Sequence, residues 1–216
     1  MKTILLVIND IDFFLSHRKK IGLAALEKNY RFIICAPKKE SSISLEELGF
    51  DYIKFPLSRG GKNIFKELMS FFKLFLIIKK INPNSMHLVT TKPVIYGGLI
   101  SKLLGNIPIL VAFPGLGHIY TSNDSYSKLL RKVINLLYKF IFSNPKHRII
   151  FHNKSDANKI IREAKINPKK CSYTYGSGVD LEEFEFSHME DFSNIKFLFA
   201  SRLLKDKGVH DFFKAA

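Results

Sequence analysis

Short apolar segments alternate with helical patterns along most of the chain, and this alternation limits the possible folds more than any other feature. Three of the apolar segments are TILLVI at 3–8, RFIICA at 31–36 and PILVAF at 108–113. They are apolar along most of their length, as expected for strands of a parallel sheet covered on both faces. The sequence therefore predicts an α/β fold with a Rossmann-like doubly wound parallel sheet. In such sheets, ligands bind beyond the carboxyl ends of the strands.

The alternation continues to about residue 170. Further strands are predicted at 51–56, 86–90 and 148–153, and helices at 17–29, 44–48, 63–81, 94–105, 125–142 and 154–164. Beyond residue 170 the helical periodicity fades until a strand at 195–199 and a helix from Gly208. We therefore predict a first domain at 1–175, a crossing segment at 176–194, and the first strand and helix of a second domain at 195–216.

The chain carries a large positive charge, with 34 basic and 19 acidic residues and a formal net charge of +15. Such a charge favours phosphates, nucleic acid or an anionic membrane surface as partners. A general preference for Lys on solvated faces would produce the same charge without any partner. No recognition-helix pattern, aromatic RNA-binding stretch or zinc spacing occurs, so we expect no nucleic-acid partner.

The sequence shows no pattern typical of a metal site, a signal peptide or a membrane span. Cys35 and Cys171 are far apart and fit no metal-binding spacing. The stretch 64–81 is interrupted by Lys and Glu, short of the roughly 18–20 apolar residues of a membrane span. The first ten residues, MKTILLVIND, lack a cleavage-site pattern and are predicted as a strand. We expect neither a metal site nor a membrane-spanning helix.

The loop after the strand at 108–113 is the first candidate site. In FPGLGHIYTSND, Gly115 and Gly117 let the backbone turn sharply and approach a ligand closely. His118 follows directly, and a neutral imidazole can donate or accept a hydrogen bond at a sugar or phosphate. The alternative is a tight turn that only connects a strand to a helix.

The segment after the first strand is the second candidate. In NDIDFFLSHRKKIG, Ser16 fits a helix N-cap, which would put His17 and Arg18 in the first helical turn. Cations there oppose the helix dipole unless an anion lies nearby. His17 and Arg18 are therefore predicted to bind an anionic group, or else to extend into water.

The end of the chain is the third candidate. Arg202 ends the predicted strand and Lys207 precedes Gly208 at the start of the predicted helix. Two cations and free helix amides at one place would suit a diphosphate, although RLLKDKG alone is also a common surface loop.

Two helices suggest a surface contact. At 63–81, Lys66, Lys73 and Lys80 form a narrow stripe beside an apolar arc wider than one sheet face would cover. At 125–142, lysines and Arg131 line one side of the helix. Packing on the sheet is the favoured explanation for each helix, but the wide arc of 63–81 and the excess of Lys suggest an additional contact with an anionic bilayer surface.

Four stretches together resemble a known family. They are FLSHR at 14–18, GLGHIYTS at 115–122, GSGVDLEEF at 176–184 and FASRLLKDKGV at 199–209. In this order they are similar to family-4 retaining glycosyltransferases of the GT-B fold, in particular bacterial enzymes that extend sugars on polyprenyl-diphosphate carriers. The resemblance spans the whole chain.

The resemblance implies roles for the candidate residues. Arg202 and Lys207 would hold the donor diphosphate without a metal. Gly115 and Gly117 would face the donor sugar, and His118 would contact it. His17 and Arg18 would lie at the phosphates of the acceptor.

The resemblance also implies a function. We expect the N-terminal, acceptor-side half of a GT-B enzyme that uses no cofactor and transfers a hexose or N-acetylhexosamine with retention. The donor is expected to be a UDP-linked sugar and the acceptor a lipid-linked glycan, at the inner face of the cytoplasmic membrane. The family's second domain, with its E-x7-E motif, is longer than the segment present here. A truncated or split enzyme, inactive alone, is therefore expected. The alternative is a non-catalytic half that docks to the membrane or binds a separately encoded donor domain.

Overall fold

The computed structural model describes residues 1–39, 44–57, 63–186, 196–201, 203 and 207–216. The chain divides into two compact units, Met1–Gly178 and Val179–Ala216. The first unit holds the sheet and most of the helices, and its packing positions the candidate site.

The first unit is built on a seven-stranded sheet in which all the strands are parallel. The strands are β1 (Lys2–Val7), β2 (Tyr30–Ala36), β3 (Asp51–Lys54), β4 (Ser85–Val89), β5 (Ile109–Phe113), β6 (Arg148–Phe151) and β7 (Cys171–Tyr173). Their order is β3-β2-β1-β4-β5-β6-β7. The order reverses direction between β1 and β4, and the carboxyl ends of these two strands flank the crevice where such folds bind ligands.

A helix follows nearly every strand and brings the chain back to the end of the sheet at which the parallel strands begin. The helices of this unit are α1 (Ile11–His17), α2 (Lys19–Glu27), α3 (Ser44–Glu47), α4 (Ile64–Ile81), α5 (Thr91–Leu103), α6 (His118–Thr121), α7 (Ser125–Ile141) and α8 (Lys154–Ala164). A 3-10 turn at Pro168–Lys170 precedes β7. The predicted doubly wound parallel sheet is confirmed.

Two hydrophobic layers cover the two faces of the sheet. One contains Leu5, Ile33 and Val111 and packs against α4, α5, α7 and α8. The other contains Leu6 and Ile34 and packs against α1, α2 and α3. Because successive side chains of a strand point to opposite faces, one apolar run supplies both layers.

Helix α5 packs unusually closely in the first layer. A Cβ atom at Gly97 would lie 2.6 Å from Cδ2 of Leu88 in the sheet, and one at Gly98 would lie 2.6 Å from Cγ2 of Ile141 in α7. These two glycines therefore allow α5 to sit against both neighbours. Of the residues of α5, only Leu103 at its end is exposed.

The second unit contains α9 (Val209–Ala215), which begins after Gly208 at a φ of 77°. The strand predicted at 195–199 is wrong for its described part, since residues 196–200 have no strand conformation. A strand needs a hydrogen-bonded neighbour, and none of the described residues of this unit supplies one. The domain boundary near 176–194 stays a prediction.

None of the helices in the described ranges has the length and apolar content that a membrane crossing requires.

Candidate functional site

The candidate site lies at the carboxyl edge of the sheet, where the loops after β1, β4, β5 and β6 meet. The parallel register brings these strand ends to one edge of the first unit. Within the described ranges, no three His, Cys, Asp or Glu side chains come together as a metal centre would need.

The loop after β1 starts a helix earlier than the sequence suggested. Asp10 is the N-cap of α1, and its Oδ1 accepts a hydrogen bond from the backbone N–H of Asp12 at 3.2 Å. Ser16 is therefore not an N-cap, and its hydroxyl instead donates to the carbonyl of Asp12 at 2.6 Å. The prediction failed because a carboxylate directly after the strand caps the helix first.

His17 lies in the last turn of α1, so its predicted place in a first turn is wrong. Its ring stacks on Phe13 with centroids 4.4 Å apart, and Nδ1 lies 2.7 Å from the hydroxyl of Ser16. The side chain is exposed. A cation at the end of a helix is favoured by the dipole, so the position itself does not require an anion.

Arg18 joins α1 to α2 and is buried, with only 6% of its surface exposed. Its Nη2 lies 2.9 Å from Nε2 of His152, and its Nε has no hydrogen-bond partner among the described residues. Burial lowers the pKa of Arg18, and burial together with the nearby guanidinium lowers the pKa of His152. Arg18 does not lie in a first helical turn as predicted, because α1 begins at Ile11 and Arg18 is the residue between α1 and α2.

His87 of β4 is a second buried basic group on this face of the sheet. Together with Arg18 it lines a cavity of about 170 Å³. Its Nδ1 is 3.1 Å from the carbonyl of Leu110, while Nε2 has no partner among the described residues. Burial lowers the pKa of His87 to about 4, so the ring is neutral at pH 7.

The glycine turn after β5 is open to solvent. Gly117 has a φ of 71°, a region that favours glycine, and a Cβ at Gly115 or Gly117 would meet no atom within 4 Å. The backbone there can be approached closely by a ligand. His118 begins α6. The role predicted for its side chain stays a prediction.

Two cations hold the segment that follows the glycine turn. The guanidinium of Arg131 donates to the carbonyls of Ile119 and Ser122, at 2.9 and 2.7 Å from Nη2. Nζ of Lys159 donates to the carbonyl of Tyr120 at 2.7 Å. Arg131 is thus turned toward α6, whereas the sequence placed it in the surface stripe of α7. These contacts hold the backbone of residues 119–122, directly after the glycine turn, in place.

The loop between β4 and α5 was not among the candidate sites predicted from the sequence. Thr90 has a φ of 76°, which is rare and strained for a β-branched residue and is often found at functional sites. In the first turn of α5, Nζ of Lys92 lies 2.8 Å from Oε1 of Glu67 in α4, and the hydroxyl of Tyr96, one turn further on, donates to the same carboxylate. The signal was TTKP at 90–93, polar residues between a strand and a helix.

Helices α4 and α7 expose apolar side chains on a large scale. Of the 18 residues of α4, only Leu74 and Ile78 are fully buried. The exposed apolar side chains include Phe65, Leu68, Met69, Phe72 and Leu76 on α4 and Tyr126, Leu129, Val133, Leu136 and Phe140 on α7. Part of the apolar arc predicted for the helix at 63–81 therefore faces outward, while Phe71, Phe75 and Ile78 pack on the core. We call the ten exposed side chains the apolar face.

The predicted donor site lies in the second unit. Arg202 lies outside the described residues. Lys207 is exposed and directly precedes Gly208, the N-cap of α9. The pairing of these two cations at a diphosphate stays a prediction.

The fold and the glycine turn at its carboxyl edge define a Rossmann-like α/β domain. The family model described as glycosyl transferase 4-like matches residues 3–153. The chain belongs to this glycosyltransferase family, and the resemblance seen in the sequence is confirmed.

A curated relative covers nearly all of the chain. It is the N,N'-diacetylbacillosaminyl-diphospho-undecaprenol alpha-1,3-N-acetylgalactosaminyltransferase of Campylobacter jejuni subsp. jejuni serotype O:2, 29% identical over 224 residues. The match includes 94% of this chain and 59% of that protein. The chain thus spans less than two thirds of the length of this relative.

Solved structures show the same fold. A glycosyltransferase from Rickettsia africae has a TM-score of 0.60 at 21% identity, covering 85% of this chain and 45% of that one. The Anabaena protein HepE in complex with UDP-glucose has a TM-score of 0.60 at 13% identity, covering 87% and 47%. The predicted Rossmann-like half of a GT-B fold is confirmed.

Proposed function

We propose that this chain is the acceptor-side half of a glycosyltransferase that transfers a hexose or N-acetylhexosamine to a lipid-linked glycan. The observation that carries the proposal is the match of 94% of the chain to a relative named as a transferase acting on a diphospho-undecaprenol-linked sugar. The donor is a UDP-linked sugar. UDP-glucose is the ligand in the HepE structure. Transfer proceeds with retention of the anomeric configuration.

The glycine turn is the donor-sugar side of the site. Gly115 and Gly117 leave open space above the backbone, and a φ of 71° at Gly117 holds the turn. Arg202 and Lys207 neutralise the departing diphosphate, as preorganised charge stabilises a transition state. His118 contacts the sugar. We assign no general base, because the leaving phosphate accepts the proton of the acceptor hydroxyl.

The acceptor phosphates lie at the loop after β1. His17 is exposed there and can donate a hydrogen bond. Arg18 is too buried to contact a phosphate directly. It contributes positive electrostatic potential from inside the domain, where its guanidinium lies against His152. The two residues therefore act differently, although the sequence placed them together.

The apolar face of α4 and α7 rests on an anionic membrane surface. On α4, Lys66 and Lys73 lie on the flank turned toward Pro56 and Lys54, whereas Leu68 and Phe71 lie on the flank turned toward α5 and α7. On α7, the spacing of 100° per residue puts Lys128, Lys132 and Lys139 on the flank away from Leu130 and Leu137. The apolar face is therefore bordered by lysines on both outer sides, as expected where acyl chains meet anionic headgroups.

A second candidate is a non-catalytic half that docks to the membrane and needs a separately encoded donor-binding domain. The exposed apolar face supports docking without requiring catalysis. In either case we expect the 216 residues alone to transfer no sugar, because they span only part of the length of the Campylobacter relative. The site of action is the inner face of the cytoplasmic membrane.

The test is a transfer assay with the purified 216-residue chain and a polyprenyl-diphosphate-linked acceptor. UDP-N-acetylgalactosamine and UDP-N-acetylglucosamine are supplied as donors, with and without a separately expressed C-terminal half of the Campylobacter relative. We expect transfer only with both halves present, and an α-linked product detected by NMR. Vesicle binding without transfer under every condition would favour the second candidate. Efficient transfer by the chain alone would contradict the predicted inactivity.

A further inference from the structure

An apolar groove runs between α4 and α7, with α5 as its floor. Its volume is about 440 Å³, within the range of about 300–1,000 Å³ typical of small-molecule sites. The groove exists because α5 packs closely: Gly97 lies against the sheet and Gly98 against α7. The two flanking helices carry larger side chains and form the walls.

The lining of the groove is apolar along its length and polar at one end. Leu68, Phe71, Ile95, Leu99, Val133 and Leu137 supply the apolar part. Thr91, Lys92 and Glu67 supply the polar part. This lining suits a long apolar chain with a polar group at one terminus.

The topology fixes which end is polar. Helices α4, α5 and α7 follow β3, β4 and β5, so all three begin at the carboxyl edge of the sheet. Thr91 and Lys92 lie in the first turn of α5, while Leu99 lies two turns further on. The polar end of the groove therefore lies at the same edge as the glycine turn, and the apolar end points away from it.

The polar end offers hydrogen-bond donors to an anion, although the Lys92–Glu67 ion pair carries no net charge. Lys92 supplies an ammonium group, which is paired with Glu67 at 2.8 Å. Thr90, the N-cap of α5, makes no side-chain cap, and neither does Arg18 for α2, whereas α1, α4, α7 and α8 are capped by Asp10, Asn63, Asp124 and Asn153. The first amides of α5 are thus left for another acceptor, as a phosphate could be.

We propose that the groove binds the first isoprene units of the acceptor's polyprenyl chain, with its diphosphate at Thr91 and Lys92. This inference rests on the proposed function, which supplies a lipid-linked acceptor. An amphipathic helix of another protein would fill the apolar part but would not bring a diphosphate to Lys92. The groove holds the acceptor with its diphosphate toward the edge that carries the glycine turn, while the side chains of the apolar face that do not line the groove contact the bilayer.

The chain contains no Trp, so a single introduced Trp reports on its own surroundings. Val133→Trp places the probe on the groove wall at a site that is 46% exposed, and Leu136→Trp places a matched probe three residues away on the outward side. Farnesyl diphosphate is titrated into each variant of the full chain, with inorganic diphosphate as control ligand. We expect a saturable blue shift only for Val133→Trp with farnesyl diphosphate. An equal response from Leu136→Trp, or no saturable response at all, would overturn the proposal.

A second variant closes the groove. Leu99→Trp on the floor is expected to weaken binding of radiolabelled farnesyl diphosphate at least tenfold, with binding to anionic vesicles unchanged. Melting curves report whether the variant is folded. Unchanged affinity of a folded Leu99→Trp chain would contradict the groove as the binding site.

The two proposals fail in different ways. Farnesyl diphosphate binding without sugar transfer by the complemented enzyme would retain the groove and remove the transferase. Transfer to a short-chain acceptor that is unaffected by Leu99→Trp would retain the transferase and remove the groove.

Discussion

The double variant Phe72→Ser/Leu136→Ser tests whether the apolar face of α4 and α7 holds the chain on a membrane. Phe72 is 59% and Leu136 is 67% exposed in the structure, so more than half of each side chain can still be removed from water. Full burial of such a side chain contributes roughly 1.5–3 kcal/mol, which leaves roughly 1–2 kcal/mol for each residue. The double variant should therefore bind vesicles roughly 30- to several-hundred-fold more weakly.

The assay is co-sedimentation with vesicles that contain phosphatidylglycerol, over a range of salt concentrations. Ile21→Ser is the matched control, because Ile21 is 49% exposed but lies on α2, across the sheet. Both changes remove side chains that are partly buried, so each should lower the free energy of unfolding by roughly 1–2 kcal/mol, and melting curves check that both variants stay folded. Binding by the double variant equal to wild type, or an equal loss with Ile21→Ser, would refute docking through α4 and α7.

Three further predictions follow from single residues. Gly117→Val should lower the free energy of unfolding by about 1–2 kcal/mol, because Gly117 has a φ of 71°, and it should abolish transfer by the complemented enzyme. Gly115→Ala is the control and should fold as wild type in melting experiments. Arg18→Met should leave the free energy of unfolding in urea unchanged or higher, because Nε of the buried guanidinium has no partner among the described residues, and a clear loss would reveal a missing partner. Burial lowers the pKa of His87 to about 4, so stability present above pH 6.5 should be lost as the pH falls toward 4, by at most roughly 3 kcal/mol. His87→Gln should remove that part of the pH dependence in urea titrations, and an identical pH profile would contradict the assignment.

The sheet could be predicted because each strand carries its own signal. Apolar runs such as 3–8 and 108–113 specify strands buried on both faces, and the intervening helices allow only parallel pairing. The helix starts were harder to predict. Asp10 and Ser16 are both good caps, and only the packing of Ile11 and Phe14 under α1 decides for the earlier one.

The candidate site was only partly predictable from sequence. The glycine turn at 115–117 carries a local signal, since glycines follow a strand directly. The burial of Arg18 carries none, because it depends on His152, a residue 134 positions away in sequence. The contact of Lys92 with Glu67 likewise depends on the tertiary packing of α4 against α5.

The two glycines of α5 give the fold a control point that no exposed residue reveals. A single methyl group at position 97 or 98 would press against Leu88 or Ile141 and push the helix outward by a fraction of an ångström. The groove above α5 would then become shallower, although none of its lining side chains had changed. Mutations at positions 97 and 98 would thus change how wide a hydrocarbon chain the groove accepts. A comparison of the lining residues alone would overlook them.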